Sequence, residues 1–391
     1  MSGRRALALA LLSTGYGGMP VWLAAGFAPQ LTAELGFDDV GLGAAVGLYF
    51  AFSALIAVPA GRLVERVGWT TGVCLTTGMS AAGLAGIVVF ADSWATLACC
   101  LLVGALANGT SQPAANLGIA SVIPLRRQGM AFGVKQAAMP ATTLLVGLAL
   151  PVFDGGSWRG AFAVAAGVAV LVCLWALTLT TAQRRARPYP APDDLPAAAR
   201  PGRRRPMRPV VVLAAAATLA VAAATSLGGF FVVFGVDRGL TPAQAGHLLA
   251  LCSVVGVTSR LLVGYLADRR GRRHLVSVAA MMVAGSGGLA LLALDAGIGP
   301  LVLGGLLGFG LGWSWNGLFA FAVVLNSQGS PALATGIVQA GMGTGAAAGP
   351  LAFGLAIEAW SYSVAWLGTA VLLLAAAAAV VVARRMIARH R

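Results

Sequence analysis

Apolar residues run along the chain in long stretches that short polar segments interrupt. A helix needs about 20 mostly apolar residues to cross the hydrocarbon core of a bilayer. Twelve stretches of this kind cover residues 7–32, 40–61, 70–91, 95–121, 129–152, 159–181, 209–235, 243–267, 274–295, 299–325, 332–356 and 363–383. The pattern predicts an all-α integral membrane protein with twelve transmembrane helices, and we expect the first to be an uncleaved span rather than a signal peptide.

Composition supports a membrane protein. Of the 391 residues, 59% are apolar and 10% are charged, whereas about a quarter of the residues in a soluble domain are charged. The five cysteines fall in apolar stretches without metal-ligand spacing, so we interpret them as core residues and expect neither a metal nor a cofactor. The net charge of +14 does not indicate a nucleic-acid partner, because the arginines cluster in short segments between the spans.

The charges alternate between the two sides of the predicted membrane domain. One set of loops carries the arginine clusters, and the opposite set carries most of the carboxylates with Arg159 and Arg238. Arginine-rich short loops stay in the cytoplasm. We therefore expect a multi-pass protein of the cell membrane with both termini cytoplasmic.

A Pro- and Arg-rich segment separates two groups of six spans. Residues 182–208 read "AQRRARPYPAPDDLPAAARPGRRRPMR" and predict a solvated cytoplasmic linker. The predicted domains are an N-terminal six-helix half (1–181), this linker and a C-terminal six-helix half (209–391).

The two halves resemble each other at a constant separation of 203 positions. "GFDDVGLG" at 36 aligns with "GLTPAQAG" at 239, "GRLVERVG" at 61 with "GYLADRRG" at 264, and "AFGVKQAAM" at 131 with "ATGIVQAGM" at 334. Parallel six-span repeats indicate a pseudo-two-fold axis along the membrane normal, with a polar cavity between the halves.

The segment "GYLADRRGRR" (264–273) resembles the cytoplasmic loop signature of the major facilitator superfamily, and "GRLVERVGWT" (61–70) is its degenerate copy. The resemblance covers essentially the whole chain and implies that charged residues of these loops form and break contacts as the halves move. The conformational-switch residues are Gly61, Glu65, Arg66, Gly264, Asp268, Arg269, Gly271 and Arg272. The alternative is that these charges only set the topology.

Two basic residues lie inside predicted spans, whereas every carboxylate in the sequence falls at a span boundary or in a loop. Lys135, the single lysine of the chain, is in span 5, and Arg260 is in span 8. Each is eight residues from the arginine-rich loops, or about 12 Å along a helix. Their repeat partners are Val338 and Ala57, so both charges depart from the shared scaffold.

We expect Lys135 and Arg260 to converge on the cavity and bind an anion, because an intramembrane charge is a functional candidate by default. The alternatives are that Lys135 extends to the surface and that Arg260 pairs with Asp268. The segment "SRLLVGYLADRR" also resembles the monocarboxylate and oxalate/formate branches, in which an arginine of span 8 binds substrate carboxylate. Lysine, unlike arginine, can lose its proton when desolvated, so coupled protons are a further hypothesis.

Other polar residues of the spans complete the predicted substrate site. Tyr49 and Ser53 share one face of span 2, and Gln136 and Gln339 are repeat partners in spans 5 and 11. The further candidates are Asn108, Gln112, Trp315 and Asn316. Interhelical hydrogen bonding is the alternative for the amides, and Trp313 and Trp315 have a lipid-facing alternative.

The leading function is a secondary active transporter that moves a small organic anion by alternating access, and we expect it to be a monomer. A multidrug or metabolite efflux transporter is the alternative, although span 5 lacks the Gly-Pro element of many antiporters and "GAAAGP" (345–350) lies in span 11. A membrane-embedded enzyme is disfavoured, because the three histidines fall at span ends or in the tail. The sequence also lacks an ATP-binding motif, so the energy must come from a gradient.

The predicted topology can be tested with the variants Asp193→Cys and Asp295→Cys in a cysteine-free background. A membrane-impermeant thiol reagent should label them from opposite sides, because the linker and the loop after span 9 lie on opposite faces. Labelling of both from one side would contradict the twelve-span arrangement.

Overall fold

The computed structural model describes the backbone of residues 2–153, 157–184, 208–270, 274–294, 296–326 and 331–389, and no strand occurs in these ranges. The helices before residue 185 are α1 (Gly3–Gly26), α2 (Ala28–Leu35), α3 (Asp39–Val67), α4 (Trp69–Phe90), α5 (Trp94–Val122), α6 (Leu125–Gln136), α7 (Ala138–Val152) and α8 (Arg159–Arg184). The later helices are α9 (Arg208–Asp237), α10 (Pro242–Arg270), α11 (His274–Leu292), α12 (Ile298–Leu307), α13 (Asn316–Asn326), α14 (Pro331–Ala359) and α15 (Tyr362–Arg389). A π-helical segment, Gly308–Gly312, follows α12 directly.

Within the described residues, eleven helices are long and apolar enough to cross a membrane, counting α12 with the segment that follows it. The fifth predicted span, 129–152, is the exception. It is divided into α6 and α7, of 12 and 15 residues, each shorter than the roughly 20 residues that a span needs. The expectation of a continuous helix at this position is therefore corrected.

Pro140 explains the interruption. Proline has no backbone N–H, and its ring crowds the carbonyl four residues earlier, which here belongs to Gln136. Accordingly, α6 ends at Gln136 and α7 begins at Ala138, with Ala137 between them. The carbonyl of Gln136 is thus left without its helical donor.

The tenth span is also interrupted. The glycine-rich segment Gly308–Gly312 widens into a π-helical turn before α13 begins at Asn316. The facing position of α11 requires glycine, because a Cβ on Gly285 would lie 2.5 Å from the backbone nitrogen of Gly312. π-Helical segments leave backbone groups without their usual partners and are frequent at functional sites.

The two halves meet closely near the ends of the spans that carry the acidic loops. On one side, α3 packs on α14 so tightly that a Cβ on Gly47 would lie 2.6 Å from the carbonyl oxygen of Ala347. On the other side, the hydroxyls of Thr143 in α7 and Ser253 in α10 are 2.8 Å apart. The Tyr362 hydroxyl also donates to a carboxylate oxygen of Asp39 at 2.9 Å.

The same face of α3 loses its partner toward the arginine-rich loops. Gly47 lies against α14, and Ala54 still adjoins Gly343, where an added Cβ would lie 2.9 Å from the Cβ of Ala54. Val58, one turn further along that face, is 64% exposed. On α14 the corresponding Gln339 and Ala340 are exposed as well. The molecule is therefore closed at the acidic face and open at the arginine-rich face.

A polar cluster on the acidic face links the start of α8 to α2 and to the end of α4. Arg159, at the start of α8, forms an ion pair with Glu34 and donates to the carbonyl of Ala91 at 2.7 Å. The Trp158 indole donates to the second oxygen of Glu34 at 2.5 Å. Hydrogen bonds from Arg159 and then Trp158 lower the pKa of the Glu34 carboxyl, so this contact is present at neutral pH and weakens as that group becomes protonated in acid.

The variant Gly43→Val should open the acidic face, because a Cβ at this position of α3 would overlap the carbonyl of Pro350 in α14. We expect a cysteine at Ala54, in a background with the five native cysteines replaced by alanine, to become reactive from the acidic face. The matched control is Gly167→Val on α8, where a Cβ would meet nothing within 4 Å. Equal labelling of the two variants would show that the glycine seam does not set the closed state.

Candidate functional site

Lys135 lies in the last turn of α6 and points into the protein. Its side chain is 2% exposed, and Nζ donates to Gln112 Oε1 at 2.5 Å and to Asn116 Oδ1 at 2.7 Å, both on α5. The alternative in which this lysine extends to the membrane surface is therefore wrong. The ammonium group has three N–H donors, of which these bonds use two.

The partners of Lys135 belong to a polar stripe on α5. Asn108, Gln112 and Asn116 follow one another at intervals of four residues and so share one helix face. At the deeper end of the stripe, Asn108 Nδ2 donates to the hydroxyl of Ser53 in α3 at 2.9 Å. Sequence analysis missed Asn116, although its four-residue spacing from Gln112 was the signal that would have identified it.

Arg260, in α10, reaches both helix interruptions. Nη1 donates to the carbonyl of Gln136 at 2.5 Å, and Nη2 donates to the carbonyl of Trp313 at 3.1 Å. The guanidinium carbon is 5.9 Å from the centre of the Trp313 ring, within the range of a cation–π contact. The side chain is 7% exposed, and its Nε has no hydrogen-bond partner in the described part of the chain.

The structure brings the two basic residues to one helix end but gives them different partners. Lys135 bonds to side-chain amides of its own half, and Arg260 bonds to backbone carbonyls of Gln136 and Trp313. Neutral oxygens therefore meet both charges. Binding of an anion by either residue stays a prediction, and so does any contact of Arg260 with Asp268, whose side chain is outside the described residues.

The remaining candidates separate into buried and accessible residues. Tyr49 is fully buried, and its hydroxyl lies 2.5 Å from the carbonyl oxygen of Gly17 and 3.2 Å from that of Gly104. Trp315 is also buried and donates to the carbonyl of Gly312 at 2.9 Å. The lipid-facing alternative for this tryptophan and for the buried Trp313 is therefore wrong.

Three amides lie nearer to the opening. Gln136 and Asn316 are half-buried and Gln339 is exposed. A Cβ on Gly317 would lie 4.0 Å from Cγ of Gln136, so the end of α6 adjoins the start of α13. The structure thus brings Gln136 close to Asn316 from the opposite half, and the role of all three amides in substrate binding stays a prediction.

The Trp313 ring near Arg260 packs against aromatic rings of both halves. The Trp313 ring meets the Trp22 ring of α1 at a centroid distance of 5.2 Å and the Phe309 ring at 5.6 Å. The Trp22 ring also contacts Phe50 of α3 at 5.7 Å. The ring beside Arg260 therefore packs against an aromatic residue of the N-terminal half.

The predicted conformational switch lies at the open face. Glu65 and Arg66 are exposed in the last turn of α3, and Gly61 and Gly264 are half-buried. The side chains of Asp268 and Arg269 and all of Gly271 and Arg272 lie outside the described residues. The switch role stays a prediction.

In the described ranges, no group of three His, Cys, Asp or Glu residues could hold a metal ion.

Several known proteins resemble this chain. A chloramphenicol resistance protein from Streptomyces lividans is 28% identical over 359 residues, covering 85% of this chain and 84% of that protein. A bacterial homologue of the human lysosomal transporter Spinster, solved in an inward-facing and unoccupied conformation, has a TM-score of 0.77 at 17% identity and covers 100% of this chain and 98% of its own. A variant of the nucleoside transporter NupG has a TM-score of 0.71 at 15% identity, covering 97% of this chain and 99% of its own.

The family comparison agrees with the loop motifs and the helical architecture. The family model described as Major Facilitator Superfamily matches residues 7–332, and the expected fold is confirmed. The chain belongs to the Major Facilitator Superfamily and is a multi-pass membrane transporter.

Proposed function

We propose that this transporter is a secondary active exporter of small organic compounds that are neutral or anionic. It would work by alternating access in the cell membrane, with both termini cytoplasmic. The observation that carries the proposal is the buried Lys135, which has amide oxygens and no carboxylate as hydrogen-bond partners among the described residues.

Electrostatics favours this class of substrate. A charge in hydrocarbon costs at least about 2.5–3.5 kcal/mol on insertion scales, and the amides of Gln112 and Asn116 supply dipoles rather than a compensating charge. A cationic compound would add like charge next to Lys135 and Arg260. A substrate with a carboxylate, nitro, hydroxyl or carbonyl group could instead accept the third N–H of the lysine.

The relative from Streptomyces lividans supports export. Its name records resistance to chloramphenicol, and a transporter that gives resistance moves the compound out of the cell. Chloramphenicol has no cationic group, which fits a site without a carboxylate. We therefore place a compound of this kind first among the substrates to test.

A small organic anion is the second candidate. Nε of Arg260 is buried without a partner in the described part of the chain. The two amide bonds described for Lys135 leave its third N–H as a further donor near the end of α6. The carboxylate contact that the sequence predicted for Arg260 would use its Nε in the present conformation.

Proton coupling would require a group in the site that can lose its charge. Lys135 is the suitable residue, since a guanidinium does not titrate in the accessible range and the sequence places every carboxylate at a span boundary or in a loop. A substrate that accepts a hydrogen bond would favour the protonated lysine. Substrate binding and proton uptake would then be linked.

The substrate class can be tested with inside-out vesicles that contain the protein, supplied with radiolabelled chloramphenicol, small carboxylates or a cationic dye. We expect accumulation of chloramphenicol or of a carboxylate that collapses without a proton gradient, and no accumulation of the dye. Lys135→Val should lower this accumulation by about tenfold or more, the effect of losing a hydrogen bond to a charged group. The control is Arg384→Val, an exposed arginine at the end of α15. Accumulation of the dye alone would contradict the proposed function.

The role of Lys135 in coupling can be tested by comparing transport against external pH for the wild type and Lys135→Arg at matched protein levels. The variant should retain part of the substrate binding, because positive charge remains, but its transport should lose the pH dependence. Two superimposable profiles would show that Lys135 does not carry the coupled proton.

A further inference from the structure

We propose that Arg260 is a positioning residue that joins the interrupted spans 5 and 10 across the two halves and stabilises the conformation open at the arginine-rich face. Its two terminal nitrogens bind one carbonyl at each interruption, 2.5 Å from Gln136 and 3.1 Å from Trp313. This role goes beyond substrate transport as such and does not depend on which compound is carried.

The first carbonyl is available because of Pro140. In a continuous helix the amide of residue 140 would donate to the carbonyl of Gln136, but proline has no such N–H. A buried carbonyl in a membrane span finds no water, so another protein donor must replace the missing one. Nη1 of Arg260 is that donor.

The second carbonyl belongs to the turn between the π-helical segment and α13. Trp313 is the first residue of this turn, and α10 contacts the turn at two places. Nη2 of Arg260 donates to the Trp313 carbonyl, and the Ser314 hydroxyl donates to the Gly256 carbonyl at 3.3 Å. Arg260 thus extends an existing contact between α10 and span 10 to the end of α6 in the other half.

Arginine suits this position better than any other residue. Its planar guanidinium presents several N–H groups in fixed directions, so one side chain can serve two acceptors. The carbonyl end of α6 also carries the negative end of the helix dipole, which favours a cation. These contacts give the buried charge two carbonyl partners among the described residues.

The link also fixes the neighbouring site. Gln136 directly follows Lys135, so the carbonyl that Arg260 holds and the ammonium that meets α5 belong to the same turn of α6. Thr143 and Ser253 belong to the seam between α7 and α10. The link of Arg260 lies at the end of this seam nearer to the arginine-rich loops. Loss of the link should free the end of α6 and the turn at Trp313 together.

Hydrogen exchange of the full chain in lipid nanodiscs, without substrate, tests this inference directly. In Arg260→Ala the amides of residues 131–139 and of residues 309–317 should both exchange at least about fivefold faster. Arg260→Lys should protect at most one of the two segments, because an ammonium lacks the planar fork. The control is Arg384→Ala, which should change neither segment.

A double-mutant cycle separates the link from a general loss of stability. Pro140→Ala supplies the missing N–H to the Gln136 carbonyl and keeps the Cβ that packs near Gly256. In this background Arg260→Ala should lower the Tm less than in the wild type, and faster exchange should be confined to residues 309–317. The matched control is Pro59→Ala, an exposed proline inside α3, which should leave the full effect of Arg260→Ala unchanged.

Some results would overturn the inference. Additive Tm losses for the Pro140 and Arg260 changes, as for the control pair, would show that the arginine does not replace the missing amide. Faster exchange in one segment only for Arg260→Ala would show that it does not couple the two halves. If Arg260→Ala does not fold, Arg260→Lys decides, because wild-type protection of both segments in that variant would contradict the link.

Discussion

Hydrocarbon offers no hydrogen-bond partner, so each backbone group that leaves a helical ladder inside the membrane must find a donor or acceptor within the protein. This constraint organises the centre of the molecule. Pro140 removes a donor from the fifth span, and the glycine-rich segment Gly308–Gly312 disturbs the tenth. Arg260 of α10 donates to a backbone carbonyl at both places.

The same constraint governs Lys135. Its ammonium group is buried, and its hydrogen-bond partners among the described residues are amide oxygens on α5. Such a site holds its charge with dipoles, which compensate it less completely than an ion pair does. Site chemistry of this kind favours ligands that bring acceptor atoms or negative charge.

Sequence analysis predicted the membrane class, the family and both intramembrane bases, because apolar length and the loop motif "GYLADRRGRR" are strong local signals. The break at Ala137 was also present in the sequence as Pro140, but an apolar stretch of sufficient length had been taken as one helix. The partners of Lys135 and Arg260 were beyond sequence reasoning. Gln112 is 23 residues from Lys135, and Trp313 is 53 residues from Arg260, so only the packed helices decide which oxygens they meet.

The internal repeat bears on the free energy that the contacts of Arg260 contribute to the open state. Val338 and Ala57 occupy the positions that correspond to Lys135 and Arg260, so one half holds charged contacts where the other holds apolar ones. A two-fold axis along the membrane normal maps the open face onto itself, so the contacts of Arg260 have no symmetric counterpart that could replace them when the molecule changes state. If these contacts break on closure of the arginine-rich face, their free energy favours the open state before any substrate or gradient acts on the protein.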